Sequence, residues 1–212
     1  MSYKMIYDRH PLLTTFADKS EAREYVRAKI GGDILVELLA VADRREEIKF
    51  EQLPQRFVLK ANHGSGYVRI VKDKSREDES GLRRTCRQWL SENYGEKTGE
   101  WVYKSILPKI MVEIFLDSGN GEPPNDFKFF AFNGKTFVIQ VDVDRFVGHR
   151  RDLFTPGWKR FDARYLYPNT DRPAPKPSCL DEMRTIAECL GGEVDFVRVD
   201  LYEVGGRVFL AN

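Results

Sequence analysis

Phe57-Val58-Leu59-Lys60-Ala61-Asn62-His63-Gly64-Ser65-Gly66 is the stretch on which the reading of this chain turns. An apolar strand ends on a lysine and runs straight into a glycine-containing loop, after which Tyr67-Val68-Arg69-Ile70-Val71-Lys72 resumes strand-like alternation. The pattern predicts a β-hairpin with an ammonium beside a turn rich in free backbone N–H groups, an arrangement that suits a nucleotide phosphate. Lys60 shares a strand face with Val58, and an ammonium on a buried strand is costly without an anion. The plainer alternative is a strand-end lysine that snorkels to water. His63, Gly64, Ser65 and Gly66 could fold over phosphates and donate N–H groups, with the Ser65 hydroxyl added, but Gly-Ser-Gly is also an ordinary tight turn.

Working outward, Asp18-Lys19-Ser20-Glu21 has the form of a helix start, Asp18 capping and Glu21 reaching back, and Gly31-Gly32 ends that helix. Ile34 to Val41 reads as a buried strand, and Leu53-Pro54 marks a boundary. A helix from about 77 to 94 carries Leu82, Cys86, Trp89 and Leu90 at helical spacing. Pro108 to Leu116 reads as a buried strand leading into a Gly-, Asn- and Pro-rich loop, 117–125, the best inter-lobe hinge. Asn133-Gly134 joins two apolar strands as a type I′ hairpin. A Pro-rich loop at 168–177 precedes a helix ending at Gly191-Gly192, and a last hairpin crosses Gly205-Gly206. Hairpins outnumber crossover units, and neither Gly-x-Gly-x-x-Gly nor Gly-x-x-x-x-Gly-Lys-Ser/Thr occurs, so a parallel dinucleotide-binding sheet and a P-loop are excluded as motifs. The class expected is α+β with mainly antiparallel sheets in two lobes. The division expected is 1–54 as an N-terminal helical segment, 55–116 as the first lobe and 117–212 as the second.

In 212 residues, 34 basic and 33 acidic side chains leave a formal charge of +1. No global field pulls such a chain toward nucleic acid, so any anion site must be local. No apolar run approaches the ~20 residues that span a bilayer. Met1 to Asp8 lacks the apolar core of a signal peptide. The cysteines Cys86, Cys179 and Cys189 have neither metal nor disulfide-framework spacing, which reads as reduced thiols in a cytoplasm, with Cys189 in a helical core.

Several further residues could carry chemistry. Glu113 ends a strand, and its edge could present backbone groups to an adenine ring walled by Ile114, Phe115 and Leu116; a surface glutamate is the plainer reading. Arg198, Asp200 and Tyr202 share a strand face, so Asp200 either pairs with Arg198 or ligates Mg²⁺, with the Asn212 amide oxygen able to face the same ion. Lys128 falls near Gln140 or Asp142 across a hairpin, where a cross-strand ion pair is the default. Arg145-Phe146-Val147-Gly148-His149-Arg150-Arg151-Asp152 is a basic run suited to a carboxylate or phosphate, or simply a solvated face. Asp142-Val143-Asp144 superficially resembles the metal-binding Asp-x-Asp of sugar-nucleotide enzymes.

In order and spacing these stretches resemble the ATP-grasp superfamily and, within it, the TupA-like family associated with teichuronopeptide and cell-surface polymer synthesis in bacteria. The resemblance covers most of the chain. It rests on Tyr7-Asp8-Arg9-His10-Pro11, Ala17-Asp18-Lys19 with Arg23-Glu24-Tyr25-Val26, Leu53-Pro54, 57–66, Pro108 to Glu113, Asp126-Phe127-Lys128-Phe129, Phe132 to Lys135, and Val197 to Tyr202. It implies two α+β lobes with ATP between them. Lys60 and Lys128 would contact phosphate, residues 63–66 would form the lid, Glu113 to Leu116 the adenine hinge, and Asp200 would hold Mg²⁺. The implied reaction is carboxylate–amine ligation through an acyl phosphate, with an anionic carboxylate-bearing small molecule or polymer precursor and an amine donor as partners. Arg145 and His149 are the candidates for holding the anionic substrate. Where the superfamily usually carries a further metal-binding Glu on the last strand, this sequence has Asn212, which either substitutes for it or ends just short of it. The N-terminus is short of a full preceding substrate domain, consistent with a truncated or minimal form. The competing functions are a glycosyltransferase or phosphotransferase of surface-polysaccharide synthesis and a non-catalytic nucleotide-binding module.

Overall fold

The protein is described from a computed structural model, covering residues 7–43, 48–144 and 148–211. The chain divides into two compact units: Met1–Tyr25 with Val36–Phe115, and Val26–Leu35 with Leu116–Asn212.

In the first unit, helix α1 (Leu12–Ala17) is separated by Asp18 from α2 (Lys19–Ile30), whose residues from Val26 on belong to the second unit. The Asp18 backbone is extended, and its Oδ1 accepts from the Ser20 N–H at 2.8 Å and the Ser20 hydroxyl at 2.7 Å, satisfying donors that the first turn of a helix leaves free. Gly31, at φ +89°, ends α2 as expected for a glycine at that place. Strands β1 (Leu38–Ala42), β2 (Phe57–Ala61), β3 (Val68–Val71) and β4 (Ile110–Ile114) form an antiparallel sheet in the order β1-β4-β2-β3. The strand expected at 34–41 therefore starts later, at Leu38, and its Val41 is exposed; one face of an outer strand meets solvent. Helix α3 (Glu79–Ser91), capped by the Asp78 carboxylate on the Ser80 and Gly81 N–H groups, buries Leu82, Cys86 and Trp89 with Phe57, Leu59, Val71, Ile110 and Val112. Each such large side chain contributes on the order of 1.5–3 kcal/mol by leaving water. Helix α4 (Tyr94–Thr98) follows, capped by Asn93.

The second unit is a five-stranded antiparallel sheet of β5 (Asp126–Phe132), β6 (Lys135–Val143), β7 (Arg150–Phe154), β8 (Phe196–Val204) and β9 (Arg207–Leu210), in the order β7-β6-β5-β8-β9. Asn133 and Gly134, at φ 47° and 71°, make the β5–β6 turn, both left-handed as a type I′ turn requires. Helix α5 (Leu180–Leu190) packs on β5, β6 and β8 through Met183, Ile186, Ala187 and Leu190. That spacing puts Cys189 on the far side of the helix, and the thiol expected in the core is exposed. Alternation sends Phe127, Phe129, Ala131, Ile139, Val141, Val199 and Leu201 to one face of the sheet, all buried. The opposite face takes Asp126, Lys128, Gln140, Asp142, Arg198 and Asp200. Val26–Leu35 joins this unit: the Leu210 N–H donates to the Ile34 carbonyl at 2.7 Å, and Lys29 pairs with Glu193. Among the described residues no helix is long and apolar enough to cross a membrane.

Candidate functional site

Each unit carries one cluster of buried charge, and most of the candidate residues fall in one or the other.

In the first unit, β2 and β4 are neighbours with Val58 opposite Glu113, which makes Lys60 and Glu113 diagonal partners on one face. The Lys60 Nζ lies 2.6 Å from Glu113 Oε2, and Arg23 of α2 reaches Glu113 Oε1 at 3.2 Å while donating to the Val36 carbonyl at 2.5 Å. Lys60 is only 5% exposed, so it does not snorkel, and Glu113 is no surface glutamate. The expected adenine edge begins at Glu113, within the sheet. Strand β4 is an interior strand, its residues paired with β1 on one side and β2 on the other, and Glu113 spends its side chain on Lys60 and Arg23. Past it, the Ile114 N–H donates to the Glu37 carbonyl, and Ile114, Phe115 and Leu116 are half-buried.

Sequence reasoning missed Lys19. Its Nζ donates to the carbonyls of Ala61 at 2.9 Å and Gly64 at 2.5 Å, at the base of the glycine loop. Burial and then the Lys60 ammonium push its amine down to about 8, against the attraction of Asp18 and Glu113. A signal was present in the sequence: a lysine in the first turn of a helix opposes the helix dipole, a placement that needs some other reason.

The loop is anchored from both ends. Asn62 is fully buried; its amide donates to Asp18 Oδ1 at 2.9 Å and to the Leu107 carbonyl, and its Oδ1 accepts the Lys109 N–H at 2.7 Å. His63, expected in the lid, turns inward: Nε2 lies 3.1 Å from the Glu92 carbonyl and Nδ1 3.3 Å from Asn62 Oδ1, and burial lowers its pKa. Tyr67 donates to the Glu92 carboxylate, a bond that holds this carboxyl down to about 2, while burial and then the same bond push the phenol up to about 12. Gly64 is required by space, because a Cβ there would come within 2.8 Å of both Tyr67 and Tyr94. Ser65 and Gly66 alone are left exposed at the tip, Gly66 at φ +81°.

In the second unit Asp142 is the hub. It accepts from Arg151 Nε at 2.5 Å and Nη2 at 3.2 Å and from Gln140 Nε2 at 3.0 Å, with Lys128 Nζ and His149 Nε2 both 3.1 Å away. Burial works against its charge, yet Arg151, Lys128 and His149 hold its carboxyl well below the usual range. Lys128 also lies 3.2 Å from Asp126 and 3.9 Å from Asp200. Arg198 clamps Asp200 with two bonds of 2.7 and 2.8 Å, the pairing that alternation allowed. Asp144 leaves the strand at φ 51°, so Asp142 and Asp144 do not form the shared face an Asp-x-Asp metal site needs. Arg145 and Asn212 lie outside the described residues. Among the described residues no three His, Cys, Asp or Glu are grouped to hold a metal. With Asp142 saturated, Asp200 is the more exposed carboxylate of the set, a donor that fits a Mg²⁺ held mainly by substrate phosphates.

A family model described as TupA-like ATPgrasp matches residues 1–211. Among solved structures the chain is similar to D-alanine–D-alanine ligase from Bacillus anthracis complexed with ATP, with a TM-score of 0.52, 16% identity, and 95% of this chain and 56% of that one covered. It is similar to the ATP-grasp ligase PsnB complexed with minimal precursor, with a TM-score of 0.52, 10% identity and coverage of 94% and 53%. The third is D-cycloserine synthetase DcsG, with a TM-score of 0.51, 12% identity and coverage of 95% and 63%. At these identities the likeness is one of fold, and the chain spans less than two thirds of the length of each of the three. No curated protein matches it by sequence.

Proposed function

The chain belongs to the TupA-like ATP-grasp family, and from that premise we propose that it works as an ATP- and Mg²⁺-dependent carboxylate–amine ligase in bacterial cell-surface polymer synthesis. The observation that carries the reading is the buried charge at the base of the glycine loop. Lys19, Lys60 and Arg23 stand there beside Asp18 and Glu113. The buried Lys19 ammonium below the Ser65-Gly66 tip, depressed by burial and then by Lys60, suits the phosphates of ATP, and an arriving anion would favour its charged form. Aspartic acid 200 would hold Mg²⁺, which when bound supplies charge neutralisation at the transferring phosphoryl group. Lys128, among Asp126, Asp142 and Asp200, would contact a phosphate, and His149 would meet the carboxylate of the acceptor from its place beside Asp142.

In this reaction a carboxylate oxygen of the acceptor bonds to the γ-phosphorus of ATP, and ADP leaves with the electrons of the broken P–O bond. The amine nitrogen then bonds to the acyl carbon, inorganic phosphate leaves, and the amine loses its proton to solvent. The protein's share is positioning and electrostatic stabilisation.

ATP with Mg²⁺ is expected to raise the thermal midpoint, because a ligand that binds only the folded chain stabilises it by mass action. Incubation with a panel of dicarboxylates and amino acids is expected to release ADP and phosphate in equal amounts. Lys60→Met should abolish both effects while retaining a folded circular-dichroism spectrum. ADP release unchanged by that substitution would falsify the site assignment, and stabilisation by ATP without turnover on any acceptor would favour a non-catalytic nucleotide-binding module.

A further inference from the structure

The segment between β7 and α5 has no regular structure over most of its length, yet it is tied down. Asp152, fully buried on β7, accepts from the Thr170 N–H and hydroxyl, from the Ala174 N–H at 3.0 Å and from Arg160 Nη2 at 2.8 Å. Asn169 donates to the Arg151 and Ala163 carbonyls at 3.1 Å each, and the Arg151 N–H donates to the Pro168 carbonyl. Within these anchors the backbone makes a three-residue turn, with the Tyr167 N–H donating to the Tyr165 carbonyl at 2.7 Å and Leu166 at its tip with φ +63°. Leu166 is 75% exposed, so burial of its side chain does not compensate for the left-handed backbone. A bulky residue held there costs on the order of 1 kcal/mol or more and persists only where the surroundings fix it.

The turn sets two phenol rings on one guanidinium. The Arg151 Cζ lies 4.7 Å from the Tyr167 ring centroid and 5.5 Å from that of Tyr165, and Tyr167 stacks on the His149 ring with centroids 3.6 Å apart and planes at 27°. Arg151 and His149 are two of the groups that engage Asp142. We propose that Tyr167, assisted by Tyr165, is a positioning residue: its ring holds the His149 imidazole and the Arg151 guanidinium on Asp142. Those contacts fix the Asp142 carboxylate, which Lys128 also faces at 3.1 Å. The inference rests on the ligase reading for its functional consequence, but its structural content stands apart from that reading.

The test is proton and nitrogen NMR of the full chain with Tyr167→Ala and Tyr167→Phe, His149 being assigned by comparison with His149→Gln. A stacked imidazole carries ring protons shielded by the phenol, and the Arg151 Nε–H bonded to Asp142 exchanges slowly. Both signatures are expected to vanish in Tyr167→Ala and to survive in Tyr167→Phe, which keeps the ring. Given turnover in the wild type, kcat/KM for ADP release should fall about two- to fivefold in Tyr167→Ala, the size of one exposed cation–π contact, with the midpoint shift caused by ATP unchanged. Unaltered His149 and Arg151 signals in a folded Tyr167→Ala protein overturn the proposal, as does a Phe variant as impaired as the Ala one. Absence of ADP release by the wild type removes the ligase reading and leaves the two NMR signatures to decide the positioning role.

Discussion

Glu113 in the first unit and Asp142 in the second are each 2% exposed, but their surroundings differ in kind. Glu113 is shared by Lys60 and Arg23, and burial, then the Lys60 ammonium, depresses the Lys19 amine. Asp142 meets Arg151, Gln140, Lys128 and His149, and Asp126 and Asp200 balance the cations around it. The first cluster rests on few ion pairs at the base of a loop; the second is bonded to one carboxylate from several sides. The difference is one of bonding: breaking the second from its centre strands more groups than breaking the first, so its shared carboxylate acts more as scaffold.

Asp142→Asn tests the scaffold most severely. It strands Arg151, Lys128 and His149 without their common carboxylate, and a loss of about 3–5 kcal/mol is expected in urea unfolding, the range for breaking a buried pair from one side. A loss under about 1 kcal/mol would erase the distinction. Glu113→Gln should cost about 3 kcal/mol by the same argument, and here the comparison can be sharpened. Adding Lys60→Met to Glu113→Gln removes the stranded ammonium and should restore part of the stability, a coupling read from a double-mutant cycle. Within the loop, Gly64→Ala forces a Cβ against Tyr67 and Tyr94 and should cost about 1–3 kcal/mol. Gly66→Ala meets open space and only a strained φ, so about 1 kcal/mol is expected.

The pH dependence separates the units by the window in which it falls, not by its sign. Lys19 has its amine lowered from 10.5 to about 8, so between those values the unfolded chain binds more protons than the folded one. Stability should therefore rise as pH climbs through that window, and Lys19→Met should flatten the rise. Asp142 is also lowered, from an ordinary 3.8, so stability again rises with pH, but in the acid range: its contribution is present above that pH and lost as pH falls below it. Urea midpoints measured across pH for the wild type, Lys19→Met and Asp142→Asn check both windows.

Local signals in the sequence carried far. The Phe57–Val71 hairpin, the Asp18 cap and the Asn133-Gly134 turn each rest on residues adjacent in the chain, and each stands in the structure. Pairings between distant strands were not legible. Alternation places Lys60 and Glu113 on some face of some sheet, but only the β2–β4 register makes them partners, and only the interior place of β4 shows that its backbone is already taken. Asp142 was visible as a cross-strand neighbour of Lys128 and not as a hub, because Arg151 and His149 reach it from the next strand and loop. His63 was misjudged for a related reason. Its neighbours suggested a solvent-facing turn, whereas Glu92, at the end of a helix, supplies the carbonyl that draws it inside.

The bond from Leu210 to the Ile34 carbonyl has a consequence for biosynthesis. A ribosome delivers Val26–Leu35 before any of the strands with which it belongs, whereas every element of the other unit has emerged once Phe115 is made. The first unit can therefore close its sheet during translation. The second must keep an early segment waiting until β9 appears, a contact of long sequence separation that slows closure and lengthens its exposure to chaperones.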